Sequence, residues 1–292
     1  MLRMTTQHPE SFETLLQKNE AIVVPGVYDA LSARIAARSG ARIVYMTGFG
    51  VAGASFGVPD IGLVGPDQMS ERVRAIASAI APLPLIADGD NGHGGPANVA
   101  RLVRAYEQAG AQCIQLEDQA MPKRCGHMEG KEIVPLVEAA AKIRAAVAAR
   151  TNSTFKIMAR TDAIATDGID EALRRGEAFL NTGADILFVE AARSEEELLL
   201  VAQTFPCTPL VANMVEDGKT PFLSVTVLQQ MGYRLVLRPV TALLAIARRL
   251  EQVYSGILGA NAAVGERVTF TQYNEIVGLP EVLAFVSRCG ET

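Results

Sequence analysis

The chain has 292 residues, of which 49% are hydrophobic and 20% charged, and its net charge is −5 at pH 7. This hydrophobic content is sufficient for a large buried core and argues against intrinsic disorder. With 27 basic against 32 acidic residues, the chain lacks the positive field that nucleic-acid binding requires. We therefore expect no nucleic-acid partner.

The N-terminal segment and the cysteines indicate the compartment. Residues 1–20 contain no apolar stretch that could act as a signal peptide. No window of the sequence approaches the roughly 18 uninterrupted apolar residues of a membrane helix. Cys113, Cys125, Cys207 and Cys289 lack the spacing of a disulfide framework or a metal site. We expect a soluble protein of the reducing cytoplasm, without a membrane partner.

Eight short apolar runs, taken in chain order, predict eight strands. The runs are continuously apolar and do not alternate, which is typical of parallel strands buried on both faces. Helical patterns separate them, for example in residues 98–110 and 169–183, and glycines often stand at the helix ends as C-caps. The runs are residues 21–26, 43–48, 84–90, 113–118, 155–162, 185–191, 209–215 and 234–239.

Eight strand–helix units in series predict an α/β fold, namely a single (β/α)8 TIM-type barrel. The alternative is an open doubly wound sheet, but no G-x-G-x-x-G turn follows the first strand. We expect the barrel to cover about residues 20–258 and one appended helix to cover about residues 270–288. Residues 1–292 are thus predicted to form one domain.

Polar residues stand at the C-terminal ends of the predicted strands, where barrels of this class carry their chemistry. Packing does not explain apolar strands that end repeatedly in charged or amide side chains. We interpret these residues as a catalytic ring. They are residues 45–48, 88–90, 117–118 and 160–162, together with Glu190, Asn213, Arg238 and Pro239.

Three carboxylates in this ring predict a magnesium site. Asp88 and Asp90 end one strand, and Glu117 ends the next. Mg²⁺ binds through one or two carboxylates completed by water and substrate oxygens. The alternative is that these carboxylates only cap helix N-termini, but Glu117 on the adjoining strand favours a metal.

A long loop after the fourth strand carries a second group of reactive residues. Lys123, Arg124, Cys125 and His127 lie close together in it, and long loops in compact barrels are usually functional. Neighbouring cations lower a thiol pKa, which makes Cys125 a candidate acid or base. Cys113, in the middle of a strand, is expected to be a core residue.

These residues carry a family resemblance. Residues 123–127, Lys-Arg-Cys-Gly-His, resemble the K-[KR]-C-G-H signature of isocitrate lyases, and the chain is similar to the isocitrate lyase/phosphoenolpyruvate mutase superfamily. The likeness extends from about residue 12 to 285. Further short motifs follow in family order at residues 24–30, 45–48, 88–90, 117–119 and 159–162.

The resemblance implies a role for each site residue. Asp88 would bind Mg²⁺ directly (Mn²⁺ may substitute), with Asp90 and Glu117 holding its waters. Arg160 would neutralise developing charge, oriented by Glu190, and Cys125 would act as general acid. Tyr45 or a metal-bound water is the candidate base. The remaining residues would hold substrate: Thr47, Gly48, Phe49, Asp60, Lys123, Arg124, Gly126, His127 and Asn213.

Within the superfamily the sequence favours the carbon–carbon lyases that include 2,3-dimethylmalate lyase, petal death protein and 2-methylisocitrate lyase. Such an enzyme would cleave a malate-type 2-hydroxy acid to an α-keto acid and a carboxylic acid. The loop continues Met128-Glu129-Gly130 and lacks the Arg-Pro-Asn pattern of methylisocitrate lyases. Pro239 stands where oxaloacetate hydrolases carry a serine, which argues against a hydrolase. Phosphonopyruvate-handling members lack the catalytic cysteine, so the presence of Cys125 argues against that activity.

The same residues bear on several alternative functions. The oxaloacetate hydrolase and the phosphonopyruvate or phosphoenolpyruvate mutase remain alternatives within the superfamily. A Schiff-base aldolase would need a lysine at a strand end, whereas Lys156 begins its strand. A catalytically silent binding protein would be expected to lack Cys125 or one of the carboxylates. The resemblance also implies a homotetramer in which the C-terminal helix is exchanged between subunits.

Overall fold

The computed structural model of this protein describes residues 10–123, 130–216, 218–259 and 265–290. Within these residues, eight strands form a closed barrel in which every neighbouring pair is parallel. The predicted (β/α)8 barrel is therefore confirmed. The strands are β1 Ile22–Val27, β2 Val44–Met46, β3 Leu85–Asp88, β4 Cys113–Glu117, β5 Lys156–Thr161, β6 Ile186–Val189, β7 Leu210–Asn213 and β8 Tyr233–Arg238.

Helices surround the barrel and connect its strands. A single π turn, Ala52–Phe56, follows the third helix. Among the described residues, none of the helices combines the length and apolar content needed to cross a bilayer. The helices are α1 Phe12–Gln17, α2 Ala30–Arg38, α3 Gly48–Val51, α4 Pro66–Ile80, α5 Pro96–Ala109, α6 Leu136–Ala149, α7 Ala163–Thr166, α8 Ile169–Asn181, α9 Glu195–Thr204, α10 Val225–Met231, α11 Thr241–Leu258, α12 Phe270–Ile276 and α13 Leu279–Arg288.

Glycines fix two features of this architecture. Gly110 ends α5 with φ of 98°, a left-handed conformation that costs glycine little and turns the chain directly into β4. Gly26, in β1, lies so close to the end of β8 that a Cβ there would be 2.0 Å from the Pro239 carbonyl oxygen. A side chain at position 26 would therefore push β1 away from the residue that follows β8.

The hydrophobic core has two layers. Between the strands and the surrounding helices lies a large cluster that includes Met69, Tyr106 and Phe179. A smaller cluster fills the barrel, where Cys113 is fully buried, as its mid-strand position predicted. Helix α1 adds Phe12, Leu15 and Leu16 to this inner cluster. The interior is thus packed, and the polar residues remain at the strand ends.

The C-terminal segment differs from the sequence-based prediction. Instead of one helix over about residues 270–288, the chain forms two helices, α12 and α13. Gly278 separates them with φ of 85°, and Pro280 stands in the first turn of α13. A residue in the left-handed conformation cannot continue an α-helix. Gly278 therefore divides the segment for which the apolar periodicity predicted one continuous helix.

Candidate active site

A cleft opens at the C-terminal ends of the strands and contains most of the predicted site residues. Its volume is about 50 Å³, measured as the space open to the centres of water-sized spheres, and it opens to solvent. One part of the lining is polar and another apolar. The lining residues are Tyr45, Thr47, Phe49, Asp60, Asp88, Glu117, Lys123, Arg160, Phe188, Asn213, Val215, Leu237, Pro239 and Val240.

Asp88, the last residue of β3, is held rigidly by hydrogen bonds. Its Oδ2 accepts from the Gly48 amide at 3.1 Å. Its Oδ1 accepts from the Asp90 amide at 3.0 Å and from the Gln115 side-chain amide at 3.1 Å. A Cβ at position 48 would lie 2.8 Å from the Asp88 carboxylate, so only glycine allows this approach. The Gly48 amide thus orients Asp88, and the contact of Gly48 with substrate stays a prediction.

Asp90 lies beside Asp88 and pairs with a buried lysine. The ammonium of Lys123 is 2.5 Å from Asp90 Oδ1 and also forms an ion pair with Asp60. Burial raises the pKa of Asp90 to about 7, although the Lys123 charge opposes the rise. Burial disfavours the ammonium, but the surrounding carboxylates, Asp90 first, raise the pKa of Lys123 well above its usual value. Lys123 thus belongs to the carboxylate cluster.

Glu117, the last residue of β4, is buried with one oxygen unsatisfied. Among the described residues, its Oε1 has no hydrogen-bond partner, while Oε2 lies 3.5 Å from Arg160 Nε. Burial raises the pKa of this carboxyl well above its ordinary value, against the charge of Arg160. A buried carboxylate in this condition would be stabilised by an additional cation nearby.

This cluster fits a magnesium ion held mainly through water. Within the described residues, no group of three or more His, Cys, Asp or Glu side chains is arranged to ligate a metal directly. Mg²⁺ retains several waters and needs only one or two carboxylates. Asp88, with Asp90 and Glu117 near it, supplies this donor set, and the unsatisfied Glu117 oxygen is available to a metal-bound water.

Arg160 in β5 is oriented chiefly by Asp162, a residue that the sequence-based assignment of roles omitted. Its Nε and Nη2 donate to the two oxygens of Asp162, each at 2.9 Å. Glu190, the predicted orienting group, lies 3.8 Å from Nη1 and is a weaker partner. Residues i and i+2 of a strand face the same side, so the Arg-Thr-Asp spacing was a usable signal. The guanidinium carbon of Arg160 lies over the Phe188 ring, 5.1 Å from the centroid of the ring.

The Asp162 carboxylate also binds Lys131, whose Nζ lies 2.5 Å from Oδ1. Both residues are buried. The cations Arg160 and Lys131 lower the pKa of Asp162 although burial opposes this. Asp118 completes the connection, because it accepts hydrogen bonds from the Thr161 hydroxyl at 2.7 Å and the Asp162 amide at 3.0 Å.

Tyr45 lies in an environment that does not support the predicted role of base. Its hydroxyl donates to Gln115 Oε1 at 2.9 Å. Burial, together with the charge of Asp88, raises the pKa of Tyr45 well above 10. A phenol that is harder to deprotonate than usual is a poor base precursor near neutral pH. The choice between Tyr45 and a metal-bound water as the base stays a prediction.

The remaining predicted residues are divided between the cleft and the segment outside the described residues. Asn213 donates to Glu190 Oε2 at 3.1 Å, and its own Oδ1 has no partner within the described part of the chain. The Thr47 hydroxyl caps α3 by accepting from the Gly50 amide at 3.4 Å. Phe49 lines the cleft. Arg124, Cys125, Gly126 and His127 lie outside the described residues.

Comparison with known proteins identifies relatives along most of the chain. The phosphoenolpyruvate phosphomutase family model matches residues 12–258. The chain is 44% identical over 271 residues to 2,3-dimethylmalate lyase of Eubacterium barkeri, covering 92% of this chain and 93% of that protein. It is 39% identical to 2-methylisocitrate lyase of Bacillus subtilis, covering 83% of this chain and 79% of the relative.

Solved structures show the same architecture. An oxaloacetate acetylhydrolase in complex with 3,3-difluorooxalacetate has a TM-score of 0.93 at 34% identity and covers 97% of each chain. A phosphonopyruvate hydrolase in complex with oxalate and Mg²⁺ has a TM-score of 0.79 at 29% identity, covering 94% of this chain and 96% of that one. The fold is therefore shared with an oxaloacetate acetylhydrolase and a phosphonopyruvate hydrolase.

Proposed function

This chain belongs to the phosphoenolpyruvate phosphomutase/isocitrate lyase superfamily and is a carbon–carbon lyase, and from that premise we propose its substrate and mechanism. The proposed substrate is a substituted malate, such as 2,3-dimethylmalate, in the presence of Mg²⁺. Cleavage of its C2–C3 bond would give pyruvate or a related α-keto acid and a carboxylic acid.

The division of the cleft lining carries this proposal. Asp88, Glu117, Lys123 and Arg160 make one wall polar and charged. The lining also includes the apolar residues Phe49, Phe188, Val215, Leu237, Pro239 and Val240. An apolar wall favours alkyl substituents, whereas a further substrate carboxylate would lose its hydration there without a partner. The lining therefore supports an alkylated malate over a tricarboxylate.

Asp88, Asp90 and Glu117 are the residues that would hold the metal. When bound, Mg²⁺ supplies a positive charge that polarises the substrate oxygen at C2. Lys123 keeps Asp60 and Asp90 in place through its two ion pairs. The three hydrogen bonds to Asp88 hold its carboxylate in one orientation.

Arg160 is proposed to stabilise the negative charge that develops as the bond breaks. Because Asp162 holds the guanidinium through two hydrogen bonds, the cation is already oriented and little reorganisation is needed during the reaction. Electrostatic groups fixed in advance are worth more than mobile ones for this reason. Glu190 and Asn213 form the adjoining part of this polar wall.

The proposed reaction balances with one proton removed and one proton added. The C2 hydroxyl loses its proton as the C2–C3 electron pair leaves with C3, and C2 becomes the keto carbon. The carbanion-like fragment at C3 takes a proton from the Cys125 thiol, which the family resemblance assigns as general acid. Gly126, His127 and Asn213 are proposed to hold the carboxylate of that fragment.

A substrate panel tests this proposal directly. Release of α-keto acid is measured with 2,3-dimethylmalate, other alkylmalates, 2-methylisocitrate and phosphonopyruvate, and release of oxalate with oxaloacetate. Each is assayed with Mg²⁺ and after removal of metal by EDTA. We expect an alkylmalate to be preferred and EDTA to abolish turnover. The Asp88→Asn variant should be inactive, while Asp67→Asn, at an exposed residue of α4, should not differ from wild type. Full activity without metal would contradict the proposal.

The second candidate is an oxaloacetate hydrolase, which the likeness to an oxaloacetate acetylhydrolase structure at a TM-score of 0.93 favours. Pro239 argues against it, because proline offers neither a hydroxyl nor an amide proton to a substrate in the cleft. Preference for oxaloacetate over every alkylmalate in the panel would establish this candidate and exclude the lyase assignment.

A further inference from the structure

Lys142 is a buried charge that the proposed mechanism does not use. It lies on α6, and its side chain is 7% exposed. Its ammonium donates to the Asn91 carbonyl at 3.3 Å and lies 3.8 Å from Glu138, a half-exposed carboxylate. Burial lowers the pKa of Lys142, although the carboxylates of Glu138, Asp118 and Glu117 oppose the shift. An ammonium has three N–H donors, so these contacts do not satisfy it fully.

Lys142 and Glu117 both line one small cavity. Its volume is about 10 Å³, and Asn91, Glu117, Asp118, Lys142 and Arg160 form its polar lining. A volume of about one water probe with several polar neighbours is the condition under which a buried water is retained. Glu117 lines both this cavity and the cleft, and its Oε1 has no hydrogen-bond partner within the described residues.

The loop that Lys142 contacts is the one that presents Asp90. Asn91 follows Asp90 directly and is 1% exposed. Its side-chain amide donates to the Gln119 carbonyl at 3.1 Å, and its Oδ1 accepts from the His93 amide at 3.1 Å. Lys142 therefore touches the residue that organises the loop after β3, and it lines the same cavity as Glu117 at the end of β4.

We propose that Lys142 is a positioning residue for the metal site, and that one buried water joins its ammonium to Glu117. The inference rests on the proposed function in so far as Asp88, Asp90 and Glu117 bind the metal. Lys142 would fix Glu117 from the side opposite the metal and hold the loop of Asp90 at the correct distance. Outer partners of this kind typically change metal affinity about 10–100-fold when they are removed.

Metal binding without substrate tests the proposal. Mn²⁺ is titrated into the metal-free protein, and the free ion is measured by electron paramagnetic resonance. Lys142→Met keeps the apolar stem but lacks the charge, and its affinity should fall at least about 10-fold. Arg144→Met is the matched control, since it removes an exposed cation from the same helix, and its affinity should equal that of wild type. If Lys142→Met does not fold, Lys142→Gln replaces it with the same expected direction.

The outcomes separate this inference from the proposed function. Wild-type protein that binds no Mn²⁺ overturns both. Wild-type protein that binds Mn²⁺ with the same affinity as the folded Lys142 variant overturns only the role of Lys142. Loss of turnover in the variant should be recovered at high Mg²⁺ concentration, which a general structural defect would not allow. A high-resolution crystal structure should show a water within hydrogen-bond distance of both Lys142 Nζ and Glu117, and a dry cavity would exclude the bridge.

Discussion

At the scale of single residues, Tyr45 illustrates how burial changes a role. Its hydroxyl is committed to Gln115, and Gln115 in turn donates to Asp88. The tyrosine therefore acts through this chain of hydrogen bonds on the orientation of Asp88. The family resemblance left Tyr45 and a metal-bound water as candidate bases, and the raised pKa of Tyr45 disfavours a phenolate.

The Tyr45→Phe substitution distinguishes these two roles. It leaves the Gln115 oxygen without its buried donor, so we expect a loss of about 1–3 kcal/mol in the free energy of unfolding. Turnover should fall much less than the roughly 10²–10⁴-fold expected when a general base is removed. Urea unfolding and steady-state kinetics measure both quantities. A loss of turnover in the general-base range, with stability unchanged, would restore Tyr45 as the base.

Pro239 is the residue whose substitution should alter substrate choice. It follows β8 directly and lines the cleft. The Pro239→Ser variant would offer a hydroxyl to a polar substrate at this point, and one such hydrogen bond is worth about 1–3 kcal/mol when the group is buried. We expect oxaloacetate hydrolysis to rise relative to alkylmalate cleavage, as measured by the ratio of the two kcat/KM values. An unchanged ratio would show that position 239 does not determine specificity.

At the scale of elements, Asp162 joins the end of β5 to two other parts of the chain. It holds Arg160 of β5 and Lys131 of the segment before α6, while its amide donates to Asp118 after β4. A buried ion pair costs free energy to desolvate, but removing one partner of the pair destabilises the protein more, because the other charge is then buried without compensation. Asp162 is consequently the residue on which the position of Arg160 depends most strongly.

The effect of Asp162 on stability should depend on pH. Its pKa is lowered in the folded protein, so its stabilisation is present above the unfolded value of about 4 and is lost as pH falls below it. Asp162→Asn should cost about 3–5 kcal/mol near neutrality, and the decrease of stability below about pH 4 should be smaller than in wild type. Urea unfolding, carried out at a series of pH values from neutrality to below about pH 4, measures the free energy of unfolding of each protein. Asp167→Asn, at an exposed residue, is the control. Parallel pH profiles for wild type and Asp162→Asn would contradict it.

At the scale of the whole molecule, α11 and α13 present large apolar side chains to solvent. Leu258 is 86% exposed and Phe285 59% exposed. Patches of this kind on a single chain mark interaction surfaces. The other exposed apolar residues of these two helices are Leu244, Ile246, Leu250, Tyr254, Ile257, Leu279, Val282 and Leu283. We propose that a second copy of the chain covers them, within the homotetramer that the family resemblance implies.

Light scattering tests the assembly at micromolar concentration. We expect a mass of four chains for wild type. Leu283→Glu combined with Phe285→Glu should dissociate the tetramer, because two charges would be buried at the contact. Leu199→Glu, on α9, is the control at a similarly exposed apolar residue outside this surface and should leave the mass unchanged. A monomeric wild type would contradict the proposed assembly.

The sequence alone determined the barrel and the location of its chemistry. Continuous apolar runs followed by charged residues specify buried parallel strands, and in this topology all of their C-terminal ends meet at one rim. Asp88, Glu117 and Arg160 could therefore be assigned to one site from local pattern. The one local feature that was misjudged, the break between α12 and α13, arose because apolar periodicity continues across Gly278 although its backbone does not.

Only the tertiary structure decided how these side chains pair. Lys131 and Asp162 are 31 positions apart, and Lys142 and Asn91 are 51 apart, so no local periodicity relates them. The burial that raises the pKa values of Tyr45 and Asp90 also arises only when distant strands close around them. Chain pattern fixes which residues reach the rim, whereas desolvation and charge pairing depend on distances that exist only after the barrel has closed.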